Sequence, residues 1–320
     1  MTNFQVYKKT LSYSLISFLL GLVILALFAG CVVGGFFMFE AINGQGGIGL
    51  AIGFVVGIIL IILINIFVTN RIKAAQISMI TKGVVDGELP EKPFKEGFKE
   101  VKGRFGKLTL FFMVTGAIKG IFRQLGRNMT KVGKAVGGNV GEGITSAIDS
   151  AIQVLVGYLC DCCLGWVMYH KEKSMVTAAC EGAVIFFKHG KTLLRNIGRI
   201  FGIMALSFIL VAGPVFGISY LILNNIPHAF DEIIKEVSTW SGEMPEFFKT
   251  PSGMAILASA VIGVFLWSTV HSVLVHPFIL TGVLRNFMES GLKDTPTEAD
   301  FAELDSKSPK FRKLRAKEQN

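Results

Sequence analysis

Four stretches of this chain run without an ionised side chain: Leu11–Phe39, Ile48–Val68, Ile200–Leu223 and Gly253–Val275. An α-helix rises 1.5 Å per residue, so about 20 residues cross the roughly 30 Å hydrocarbon layer of a bilayer. Each stretch meets that length. Charged residues make up 17% of the chain and apolar ones 51%, against about 25% charged in soluble domains. A soluble chain of 320 residues would need polar surface that this one lacks. The expected fold is all-α: a polytopic helical membrane protein with four firm spans near 11–39, 48–69, 200–223 and 253–276. Amphipathic or partly inserted helices would lie on its cytoplasmic side.

Lys8 and Lys9, an apolar stretch and Leu27-Phe28-Ala29-Gly30-Cys31 imitate a lipoprotein signal. The next residues, Val32-Val33-Gly34-Gly35-Phe36-Phe37, are apolar rather than a polar tether, and the run outlasts a normal signal core. An uncleaved first span is expected.

Charge sets the orientation. Residues 71–145 hold 14 Lys and Arg against 6 Asp and Glu, and residues 170–199 hold 6 against 2. The loop Phe39–Gly47 offers only Glu40, and Asn224–Ser252 carries Lys235 and Lys249 against five acids. Basic loops stay in the cytoplasm. Both termini and the central region are therefore expected inside, at the cell (inner or plasma) membrane. Between the paired spans, Leu108–Ile118, Ile152–Tyr169 and Met175–Phe187 are the further apolar candidates. Zero full crossings suits the charges, and two suits the apolarity of 152–169. Helices lying in the interface or dipping partway in are the favoured compromise.

The chain echoes itself. "KGVVDGELPEKPFKEGFKEVKGRFGKL" (82–108) follows the second span and "SGLKDTPTEADFAELDSKSPKFRKL" (290–314) follows the last. Gly83 answers Gly291, Asp86 answers Asp294, and Lys107-Leu108 answers Lys313-Leu314. A parallel repeat is one reading and shared juxtamembrane composition the other. Three segments are expected: a two-span half over 1–110, a basic and Cys-rich interfacial region over 111–190, and a second two-span half over 191–320.

"YLCDCCLGWVMYHK" (158–171) places three of the five cysteines within four positions around Asp161. A structural zinc site wants four thiolate or imidazole ligands, usually in two separated pairs, and no second CxxC exists. Disulfides do not suit a cytoplasmic segment. S-acylation is chemically reasonable, but close helix packing is the favoured reading. An acid within an apolar segment costs about 2.5–3.5 kcal/mol by insertion scales, so Asp161 faces a cavity or partner if inserted, and water if interfacial.

Other polar groups read mainly as packing. His271 and His276 lie five apart, too far round a helix to share a metal ion. Trp166, Trp240 and Trp267 fit interfacial belts or helix packing. Gly30 with Gly34, and Gly49 with Gly53 and Gly57, form stripes that permit close helix crossing. No dinucleotide loop, Walker motif, catalytic triad or metalloprotease helix is present, so neither an enzyme nor a cofactor is expected. Across Arg104–Lys134, Lys107, Lys119, Arg123, Arg127, Lys131 and Lys134 alternate with apolar residues. Such a helix gains about 1 kcal/mol per charge near anionic head groups. Anionic lipid, not nucleic acid, is the expected partner.

The run "CDCCLGWVMYHKEKSMVTAACEGAVIFFKHGKTLLRNIGRIFG" (160–202) resembles the choline transporter-like family. That family also has a cysteine-rich amphipathic stretch and then an LL-x-RN-x-x-R motif, here Leu193-Leu194-Arg195-Asn196 and Arg199. "FILTGVLRNFMESGLKD" (278–294) is similar to the family's last helix and its continuation. The chain lacks the family's large extracellular domain and its "IYG" pattern, and no choline site carries over because no substrate residue can be matched position by position. It also resembles uncharacterised membrane proteins of anaerobic Gram-positive bacteria with an "ECCLGY" stretch. The leading expectation is a transporter or channel-like protein for a small solute, with Asp161, Glu181 and Asn196 on the path. A homo-oligomer is expected, since four spans alone seldom enclose a path. The rival is a non-transporting membrane scaffold acting through basic amphipathic helices.

Overall fold

Residues 1–44, 46–104, 116–121, 142–194, 197–226, 230–231, 234 and 245–316 are described by a computed structural model of the chain. Helix α1 (Asn3–Asn43) opens with a capping box, in which the Thr2 hydroxyl accepts from the Gln5 N–H and the Gln5 side chain accepts from the Thr2 N–H. It closes at Gly44, whose φ of 63° needs a residue without Cβ. The Glu40 carboxylate then accepts from the Gly46 N–H at 2.8 Å, fastening the turn into α2 (Gly46–Ile64). A π-turn (Asn65–Thr69) carries that helix into α3 (Asn70–Val85), making one rod over Gly46–Val85.

Four helices are long and apolar enough to cross a membrane: Asn3–Ile42, Gly46–Val85, Arg199–Asn224 and Pro251–Lys293. The chain is an all-α polytopic helical membrane protein, and no strand occurs among the described residues. The rods are longer than the expected spans because the helices do not stop where their apolar sections stop. From Leu15 to Val68, large side chains such as Phe37 and Ile59 are exposed, as lipid contact requires.

In α2 only Gly46, Gly49, Gly53 and Gly57 are buried, so α1 and α2 meet backbone to backbone. A Cβ at Gly49 would strike the Gly35 carbonyl, and one at Gly53 the Cys31 carbonyl. The expected stripe on α2 is therefore present, but its counterpart on α1 is Cys31 and Gly35. Gly30 and Gly34 have nothing within 4 Å. A one-residue step turns a helix by about 100°, which moves a stripe onto another face.

Past these sections the same helices enter a packed base. α1 contributes Val6 and Tyr13, and α3 contributes Ile72, Ile77, Met79 and Ile80. Against them lie α4 (Pro93–Arg104), α5 (Glu142–Tyr169), α6 (Met175–Leu194) and, from Phe278 onward, α9 (His276–Lys293). The Tyr13 hydroxyl donates to the Pro93 carbonyl at 2.6 Å, and Gly97 leaves the room it needs. Trp166 and Phe287 pack edge to face in the centre, and each large buried side chain contributes about 1.5–3 kcal/mol. Every residue from 158 to 168 is buried. The apolarity of this stretch thus belongs to a protein core, and the stretch is not among the four long apolar helices. Helices α10 (Glu298–Lys307) and α11 (Pro309–Ala316) complete the base through buried Leu304, Phe311 and Leu314.

A second compact unit covers residues 196–277. It is an antiparallel hairpin of α7 (Ile197–Asn224) and α8 (Pro251–Val270), extended by a π-turn (His271–Val275). Small residues Ala255, Ser259 and Gly263 are buried along α8, and the Trp267 indole donates to the Ser207 hydroxyl at 3.2 Å. Residues 278–320 pack with residues 1–195 in the first compact unit.

Candidate functional site

Asp161 and Glu181, singled out in the sequence, lie in the base, on helices held by the apolar core just described. Lys73, on the first turn of α3, reaches the Asp161 carboxylate of α5 at 2.9 Å. Asp161 is buried and Lys73 about half exposed. Around it, Cys160, Cys162, Cys163 and Cys180 are all buried. Burial, then Asp161 and Cys160, push the Cys162 thiol well above its ordinary range. Burial and the neighbouring cysteines do the same to Cys163. A buried thiol shifted in that direction is a weak nucleophile. Gly182 fits directly against Cys163, as a packing role requires.

Glu181 of α6 holds a different cation. Its carboxylate accepts from the Trp166 indole at 3.0 Å and from Lys173 at 2.7 and 2.9 Å. Asp161 and Glu181 therefore each carry their own lysine, and neither lies on one of the four long apolar helices. Asn196 lies outside the described residues, as do Arg123, Arg127, Lys131 and Lys134. Lys119 is exposed on a helical stretch over 116–121, between buried Ile118 and Ile121.

A further polar cluster centres on Glu100, which carries no motif in the sequence. Glu100 of α4 accepts from the Ser78 hydroxyl and meets Lys171 at 2.9 Å and Lys82 at 3.8 Å. Burial alone would raise this carboxyl, but the Ser78 and Lys171 hydrogen bonds and the two lysine charges outweigh it and hold it below its ordinary range. One turn on, Arg104 donates to the carbonyls of Val167, His170, Lys171 and Lys173, capping the end of α5. Glu96, Glu100 and Arg104 recur every four residues beside buried Gly97 and Val101, a one-face pattern visible in the sequence.

Two hollows share Glu100 and Lys171. One, of about 390 Å³, is lined by Glu96, Lys99, Gly103 and Arg104 as well. The other, of about 240 Å³, adds Ser78, Lys82, Asp86 and Tyr169. No family model, curated protein or solved structure matches the chain. Among the described residues no group of three His, Cys, Asp or Glu side chains is placed to hold a metal ion. Chemically, the cluster pairs Glu100 with Lys171 and Lys82, and Glu96 with Lys99, all cations already in the chain. Such an arrangement cements helices and sets their charge.

Proposed function

We propose that the protein is a non-transporting membrane scaffold, in which two apolar hairpins anchor a folded helical base at the membrane surface. The observation that carries this reading is the placement of Asp161 and Glu181. Both acids lie off the long apolar helices, and both are neutralised by lysines of the base. Backbone contact between α1 and α2 also leaves no room between those two helices for a solute. The basic central loops favour a cytoplasmic base at the cell membrane. Lys119 and the basic residues after it would then meet anionic lipid, and homo-oligomers would extend the scaffold. The resemblance to the choline transporter-like family supports the rival reading, transport of a small solute.

Reconstitution of the full chain into sealed vesicles separates the two. The scaffold reading expects no flux above empty vesicles for choline, other amines, amino acids or inorganic ions, together with protein clustering or vesicle shape that follows the anionic lipid content. Flux that disappears in Asp161→Asn would overturn it.

A further inference from the structure

Two carboxylates of the C-terminal segment converge on one lysine. Lys188, near the end of α6, lies 2.8 Å from Asp294, which follows α9, and 3.1 Å from Asp300 on α10. Asp300 is oriented from its own side by the Thr297 N–H and hydroxyl, both at 2.8 Å. Next to Lys188, the His189 imidazole points its Nε2 at the Asp294 carboxylate from 3.4 Å. That nitrogen is buried and has no hydrogen-bond partner. Lys307 of α10 lies over the Phe187 ring, 4.4 Å from its centre.

We propose that α10 and α11 form a charge-operated strap on α6, with Lys188 as its fastener. One ammonium neutralises two acids here, so its loss leaves Asp294 and Asp300 as uncompensated neighbours. Apolar contact does not replace it at this end, because Leu304, Phe311 and Leu314 are buried farther along the strap. Lys188 is held charged by its hydrogen bonds to Asp294 and Asp300, so it acts as a fixed charge at all relevant pH values. Asp294 also faces the neighbouring His189, and Arg315 of α11 is committed to Glu298 and Asp305 within the strap. Its anchor point matters because α6 ends at Leu194 and the third long apolar helix begins at Arg199. Release of the strap frees the end of the helix that leads to the membrane.

Hydrogen exchange of the full-length chain in lipid nanodiscs, corrected for intrinsic rates, tests this directly. At about pH 7.5, Lys188→Gln is expected to speed exchange of Glu298–Ala316 about fivefold or more, with the α3 amides unchanged. Lys188→Arg should keep the strap closed. Wild-type protection of the strap in Lys188→Gln overturns the proposal. Faster exchange throughout the base, α3 included, overturns it as well, since the lysine would then be a general stabiliser.

Discussion

Lys73 and Asp161 meet at 2.9 Å across two helices, the carboxylate almost wholly buried and the ammonium about half in solvent. That asymmetry sets the cost of breaking the pair. Removing one partner of a fully buried pair costs about 3–5 kcal/mol, whereas exposed pairs contribute about 0–1 kcal/mol. Asp161→Asn is expected to lower stability by about 1–2 kcal/mol, between those limits, because Lys73 can turn to water. The companion change of Lys73→Met with Asp161→Leu should recover most of the loss. Thermal unfolding of the purified chain in detergent measures both, and an Asp161→Asn protein as stable as wild type would remove the pair from the base's framework.

The glycine contacts make a prediction with an internal control. Gly49→Leu or Gly53→Leu should force α1 and α2 apart and cost about 1–3 kcal/mol, as overpacking does. Gly30→Leu and Gly34→Leu meet open space and should leave the hairpin nearly unchanged. Comparing the four melting temperatures is decisive, since equal losses would mean that the wrong face of α1 has been assigned.

Much of the architecture could be read from uninterrupted apolar length alone. The four runs that set the class coincide with the four long apolar helices, because a helix satisfies its own backbone hydrogen bonds where lipid offers none. What the runs concealed was continuation. Residues 70–85 carry Arg71, Lys73 and Lys82 and read as a loop, yet they prolong α2 as α3 because one face, including Ala75 and Met79, is buried. The cysteine stretch was ambiguous for the opposite reason: a core helix and a membrane helix look alike where both are wholly apolar. Asp161 is legible as costly, but its lysine is not, since a partner brought in by tertiary packing leaves no local mark. Glu100 and Arg104 are hard to single out because a charged helix reads as solvated until something covers it.

The Glu100 carboxyl is held below its ordinary value of 4.5 in the folded chain. A group of that kind contributes stability above its unfolded pKa and loses it as pH falls through the folded one. Stability should thus decline below about pH 4.5, and Glu100→Gln should flatten that part of the profile while lowering the plateau at neutral pH. Melting temperature against pH for the two proteins is the readout. An unchanged acid limb in Glu100→Gln would show that other carboxyls dominate there.

Arg104 serves four carbonyls at once, and no other side chain can reproduce that fork. Arg104→Ala should cost about 1–3 kcal/mol by leaving polar groups poorly satisfied. Arg104→Lys should recover less than half, being a point charge with fewer donors. Proteolysis at the Tyr169–Met175 connection, faster in both variants, provides a local check. Resistance equal to wild type would mean that the connection holds its shape without the guanidinium.

Both π-turns close five-residue steps, with the Asn70 N–H bonded back to the Asn65 carbonyl and the His276 N–H to the His271 carbonyl. The Asn65–Thr69 turn inserts one residue beyond α-helical spacing, which offsets the phase of α3 against α2 by about 100°. Upper and lower lengths of a single shaft can therefore answer to different solvents without sharing one stripe. A residue deleted within Asn65–Thr69 would act less as a shortening than as a twist, swinging Lys73 out of line with Asp161 while the lipid above registered almost nothing.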